Sequence, residues 1–186
     1  MGATYLSLQL RMTDRDAALA SLGSIAAANA TAGLQFYVTE PIENWLAVFP
    51  NFSPELERTA KTLSAQLNCL VLLLLSFDQD DLYLMFFRNG KQLPWFKIAA
   101  GRKRTGKERD KIATKLEALA EVCDAESRAR LVSILADATN VTFASDLLRS
   151  VCDIAGIRNA FTSFEYLSRG ERDGLKSPSE PTLVPA

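Results

Sequence analysis

The chain has 186 residues, of which 48% are hydrophobic and 23% charged, and its net charge is −1. This is ordinary globular composition, sufficient for one substantial core, and it supplies no global field for nucleic acid or an anionic membrane. Histidine is absent, which excludes Ser-His and Cys-His nucleophile pairs and any His-ligated zinc site within the chain.

Residues 4–12 alternate, with Leu6, Leu8, Leu10 and Met12 on one side and Ser7, Gln9 and Arg11 on the other. Period two predicts a half-buried strand. Thr13 or Asp14 caps a following helix with an apolar face of Ala17, Ala18, Leu19, Leu22, Ile25 and Ala26, which ends in the Asn29 to Gly33 stretch. Leu34–Thr39 and Trp45–Phe49 are short strand candidates around a turn at Pro41. Ser53-Pro54-Glu55 starts a second helix, with Leu56, Ala60, Leu63 and Leu67 buried and Asn68 as its stop.

Cys69–Phe77 is a continuous apolar run broken only by Ser76 and predicts a strand covered on both faces. A turn at Asp78-Gln79-Asp80-Asp81 leads into a strand at Leu82–Phe87. Asn89-Gly90 is a type I′ hairpin signal, and Gln92–Ile98 returns as an edge strand because Pro94 cannot donate to a ladder. Residues 1–100 therefore read βαββαβββ, a mainly antiparallel α+β unit compatible with a ferredoxin-like split βαβ core. Lys107–Val122, Ala125–Ala138, Phe143–Ala155 and Asn159–Ser168 read as helices, with Gly156 as a C-cap. The organisation expected is a sheet unit over 1–100, a basic linker over 101–111, a helical subdomain over 112–168 packed on the first, and a disordered tail over 169–186.

Residues 101–111 hold Arg102, Lys103, Arg104, Lys107, Arg109 and Lys111 against Glu108 and Asp110, a local +4, so the other 175 residues sum to −5. Gly101 to Glu108 fits G-x-x-x-x-G-K after a strand and before a helix. A phosphate loop needs Ser or Thr after the Lys to hold magnesium, and Glu108 stands there and would repel a nucleotide. The preceding strand also looks antiparallel. A solvated linker is the primary reading, because burying unpaired charge is prohibitive. A phosphate or polyanion site on Arg102, Lys103, Arg104 and Lys107 is the alternative. Asp78, Asp80 and Asp81 put three carboxylates in four residues. Turn chemistry accounts for them, with a Mg²⁺ or Ca²⁺ site as the alternative. The aromatics crowd the strands and read as core, with Trp95 beside Pro94 as the best candidate for an exposed ring.

Cys69, Cys123 and Cys152 are odd in number and form no CxxC, so buried free thiols in a reducing compartment are expected. The N-terminus carries no signal-peptide pattern and fails the myristoylation pattern at Leu6. The run Cys69 to Leu75 is far short of the ~20 residues of a membrane span. A soluble cytoplasmic protein without membrane contact follows.

Trp45-Leu46-Ala47-Val48-Phe49, Leu63-Ser64, Asp78-Gln79-Asp80-Asp81-Leu82-Tyr83 and Phe86-Phe87-Arg88-Asn89-Gly90-Lys91 together resemble a domain of uncharacterised bacterial proteins. The resemblance spans Trp45 to Ile98 and implies a fold but no activity and no functional residue. The functional expectation is a non-catalytic bacterial domain that binds a protein or a small ligand, with no cofactor implied and homodimerisation through a sheet edge as one partner mode. The alternatives are a phosphate, nucleotide or RNA binder using 101–111, and a carboxylate- or metal-dependent enzyme.

Overall fold

The computed structural model describes residues 4–77, 80–117, 123–137, 141–177 and 179–186. β1 (Tyr5–Leu10) leads into α1 (Arg15–Ala28), β2 (Phe36–Val38), β3 (Leu46–Pro50), α2 (Leu56–Gln66) and β4 (Val71–Phe77). The order in space is β4-β1-β3-β2 and every pairing is antiparallel, the split βαβ arrangement. β5 (Asp81–Arg88) extends the sheet beyond β4 through seven register pairs from Val71↔Phe87 to Phe77↔Asp81. β6 (Lys91–Gln92) and β7 (Phe96–Ala99) both pair with β5. The return expected as one strand over 92–98 is thus two, because Pro94 interrupts the ladder while Leu93 N still donates to the Phe86 carbonyl.

Local chemistry sets the early boundaries. The Asp14 side chain accepts from Ala17 N and caps α1. Ser53 accepts from Glu55 N, but the regular helix begins at Leu56. Asn68 follows α2 with φ +47. Asn89 and Gly90 have φ +50 and +73, as a type I′ turn requires. Ser64 Oγ accepts from Gly90 N at 3.0 Å. This bond joins Leu63-Ser64 to the Asn89-Gly90 turn, two of the stretches that carry the resemblance.

Both faces of the sheet are covered. α1 and α2 seal the first face over Leu6, Leu8, Leu10, Val48, Val71, Leu73 and Phe87. α3 (Gly106–Leu116), α4 (Ala125–Ala136) and α5 (Ala144–Ala155) seal the second over Leu72, Leu74, Leu82, Leu84 and Phe86, with Ile112, Leu131, Leu147, Leu148 and Val151. β1 is therefore not half-buried: Ser7 and Gln9 are each 1% exposed. The helix expected at Asn159–Ser168 is only α6 (Phe164–Ser168). Residues 157–163 run without regular structure instead, burying Ile157, Asn159, Ala160, Thr162 and Ser163, and the Asn159 carbonyl accepts from Gln9 Nε2 at 2.6 Å.

Two further expectations are corrected. The 169–186 tail is not wholly unstructured, because β8 (Thr182–Val184) pairs antiparallel with β2. The unpaired edge of β2 offers backbone partners, Val184 enters the first core, and Arg15 Nη2 donates to Thr182 Oγ1 at 2.5 Å. The 101–111 segment is a linker only as far as Thr105; from Gly106 it is α3. Among the described residues, no helix is long and apolar enough to cross a membrane.

Candidate functional site

β7 ends at Ala99, and Gly101, with φ +68, turns the chain toward α3. Thr105 then caps that helix in a full capping box. Its hydroxyl accepts from Glu108 N at 3.4 Å, and Thr105 N donates to Glu108 Oε2 at 2.8 Å. This explains the acid that spoils the phosphate-loop pattern: Glu108 occupies the helix N-terminus itself. The Thr105 backbone bond, then its hydroxyl, and more weakly Arg102, hold the Glu108 carboxyl below the usual range. Arg102 Nη2 meets Glu108 Oε1 at 2.6 Å.

The capping turn directs Arg104 inward. Its residue exposure is 9%, so the expectation that all six cations of the segment lie in solvent fails here. Nη2 donates to the Ala99 carbonyl at 3.3 Å, and Nη1 is buried with no hydrogen-bond partner among the described residues. Burial, and then the repulsion of Arg102, lowers the Arg104 pKa, yet a guanidinium keeps its proton in proteins. Turn geometry, not side-chain preference, places the charge there.

Arg104 lines a cleft of about 160 Å³ between β7 and α3. Phe96, Ile98 and Ile112 supply its apolar wall, and Lys97, Arg102, Arg104, Lys111 and Lys115 its charge, with Glu108 as the one acid. Lys97 is held by Asp81 at 3.0 Å and lies 5.2 Å from the Tyr83 ring centroid. Hydrogen bonds to Tyr83 and Asp81 raise its pKa. Lys115 Nζ donates to the Trp95 carbonyl at 3.0 Å, and Lys111 has no ionic partner among the described residues.

Of the basic residues expected from the sequence, Arg102 and Arg104 line the cleft, whereas Lys103 and Lys107 are exposed and take no part in it. The sequence reading counted Lys111 in the basic run without naming it as a site residue, and missed Lys97 and Lys115. The four-residue spacing of Lys111 and Lys115 on one helix was the available signal. Trp95 is 46% exposed and borders the cleft through Lys115, whose Nζ is 5.9 Å from its ring and 5.5 Å from that of Phe96. Of the three acids proposed for a metal, Asp81 is spent on Lys97, and Asp80 sits in the turn that accepts Ala100 N. Asp78 lies outside the described residues.

Two other cavities are lined differently. One, of about 230 Å³, lies among Tyr5, Phe161, Thr162, Tyr166, Glu171, Asp173 and Gly174. Thr162 Oγ1 is buried there without a partner among the described residues, but Glu171 is already bound to Arg169 at 2.6 Å. The other, about 270 Å³, is a groove between α1 and α2 with no buried unpartnered side-chain atom in its walls. The cysteines are free and buried; burial pushes the Cys69 thiol to about 11 and raises those of Cys123 and Cys152, so none is poised as a nucleophile.

Chemically, the cleft gathers five cations, of which Lys97 is paired with Asp81 and Arg102 with Glu108, so Arg104, Lys111 and Lys115 are left to attract an anion. No family model, curated protein or solved structure matches the chain.

Proposed function

We propose that this chain is a non-catalytic binding domain that holds a phosphate-bearing ligand between β7 and α3. The observation that carries this reading is Arg104 Nη1, a buried cationic donor without a partner among the described residues, at the wall of a cleft lined by four more cations. A buried charge with an unmet donor is costly, and a ligand oxyanion would complete its hydrogen bonds. The planar fork of a guanidinium matches an oxyanion, and Lys111 and Lys115 add point charges suited to a doubly charged group. The partly apolar wall leaves room for a substituent of low polarity. The net charge of −1 confines the attraction to this cleft, so affinity would come from close contacts and not from long-range steering. The resemblance of 45–98 and the three unpaired thiols support a bacterial protein of a reducing cytoplasm.

The test is thermal unfolding with inorganic phosphate. Phosphate raises the Tm of the wild-type chain more than that of Arg104→Met, which keeps the side-chain volume and responds only to the general salting effect. Equal shifts in the two chains sink the reading.

A further inference from the structure

Resting on the phosphate reading, we propose that the ligand is a nucleotide unit, with its phosphate in the β7–α3 cleft and its base stacked on Trp95. The cleft, at about 160 Å³, accommodates a phosphoryl group but not a sugar and base as well, so the rest of the ligand lies outside it. What borders the cleft there is an indole 46% exposed. Lys115 joins the two features. Its Nζ lines the cleft, donates to the Trp95 carbonyl and sits 5.9 Å from the Trp95 ring. Trp95 follows Pro94 in the interruption between β6 and β7, so its ring is presented from the sheet edge and not packed into the ladder. An open aromatic face beside cations is the stacking platform that nucleobases use, and it tolerates any base because each has a π-face. A phosphorylated sugar or a lipid headgroup supplies the phosphate but no planar π-face to stack on the indole.

The molecule carries its own reporter. Trp45, the other tryptophan, is 5% exposed, and its Nε1 donates to the Ala155 carbonyl. Quenching of fluorescence by an added base therefore reads Trp95. The probes are inorganic phosphate, a free nucleoside monophosphate, a short single-stranded oligonucleotide, and an abasic oligonucleotide of equal length, all at one salt concentration. Base-bearing probes quench the fluorescence and bind about tenfold or more tightly than the abasic strand. Trp95→Leu, a change at an exposed site, removes that advantage while inorganic phosphate binds as before. Quenching by the monophosphate assigns a free nucleotide, and quenching by the oligonucleotide alone assigns a single strand; either supports the proposal. Equal binding of base-bearing and abasic probes without quenching overturns it and leaves the phosphate reading standing. Failure of every probe, inorganic phosphate included, overturns both.

Discussion

The first face of the sheet, under α1 and α2, packs Leu8, Leu10, Leu22, Leu34, Phe36, Leu46 and Leu63 completely out of solvent. Among the described residues it has no fully buried side-chain polar atom without a partner; Ser64 Oγ, for one, donates to the Lys61 carbonyl and accepts from Gly90 N. The second face, under α3 to α5 and the 157–163 segment, carries every unpartnered buried side-chain atom among the described residues. These are Gln9 Oε1, Ser76 Oγ, Thr162 Oγ1 and Arg104 Nη1. Each orphaned group costs about 1–3 kcal/mol, a large fraction of a typical domain's stability. The contrast teaches where to look for ligands. One face is built to fold, and the other accepts unfavourable polar burial, most strongly at Arg104, the only charged group of the four and the one beside the basic cleft.

The comparison breaks if the first face is not the stabilising one. Leu8→Ala removes a fully buried β1 side chain from the core under α1 and α2 and should cost roughly 2–5 kcal/mol in urea unfolding. A loss below 1 kcal/mol would mean that the site collapses freely and that this core is not tightly packed. Next in size is Gly90→Val. At φ +73 a β-branched residue is strained, and its Cβ would lie 3.3 Å from that of Ala65 on α2. A lowering of roughly 1–3 kcal/mol is expected; an unchanged midpoint would show that the turn does not tie the hairpin to the first face.

Sequence patterns captured whatever short-range chemistry decides. The position of β1, a cap at Thr13 or Asp14, the Asn68 stop and the Asn89-Gly90 turn each depend on neighbours a few residues away and stand where expected, although β1 is buried on both faces and not half-buried. The sequence leaves the strand order open: it is compatible with a split βαβ core, and only the structure gives β4-β1-β3-β2. The misses depend on distant partners. Nothing in Thr182–Val184 announces that β2 offers an open edge, and nothing in Asn159–Ser163 announces that it must cover Ser7 and Gln9. Arg104 was the sharpest failure. A rule about average charges placed it in solvent, whereas the Thr105–Glu108 capping box, itself readable as T-x-x-E, fixes a turn that aims it inward. Lys97 and Lys115 join the cleft only because β7 packs beside α3.

A smaller effect tests the cap that shapes the second face. Thr105→Ala removes the hydroxyl at the start of α3 and should cost about 1 kcal/mol, with weaker phosphate binding because Arg104 loses its fixed approach. The Glu108 half of the box makes this region acid-sensitive. Its folded pKa is depressed by the Thr105 bonds, so its contribution is present above the unfolded value and lost as pH falls through the folded one. Amide exchange at the first turn of α3 should quicken across that acidic interval, and Glu108→Gln should flatten the dependence.

The smallest effect separates the faces most directly, because it uses one substitution on both. Ser64 and Ser76 are each fully buried. Ser64 Oγ donates to the Lys61 carbonyl and accepts from Gly90 N, while Ser76 Oγ has no partner among the described residues. Removing the hydroxyl at Ser64 strands the Gly90 amide and should cost about 1–3 kcal/mol. The same removal at Ser76 takes away an unsatisfied group along with very little volume. Relief of its desolvation opposes a small loss of packing, so Ser76→Ala should be neutral or stabilising, by at most about 1 kcal/mol. Parallel urea titrations measure both, and an unchanged m-value confirms that the unfolding compared is the same. A Ser76→Ala chain destabilised as much as Ser64→Ala would mean that Ser76 does have a partner in solution, such as an ordered water bridging it across the second face. That result would narrow the difference between the faces to the Arg104 cleft.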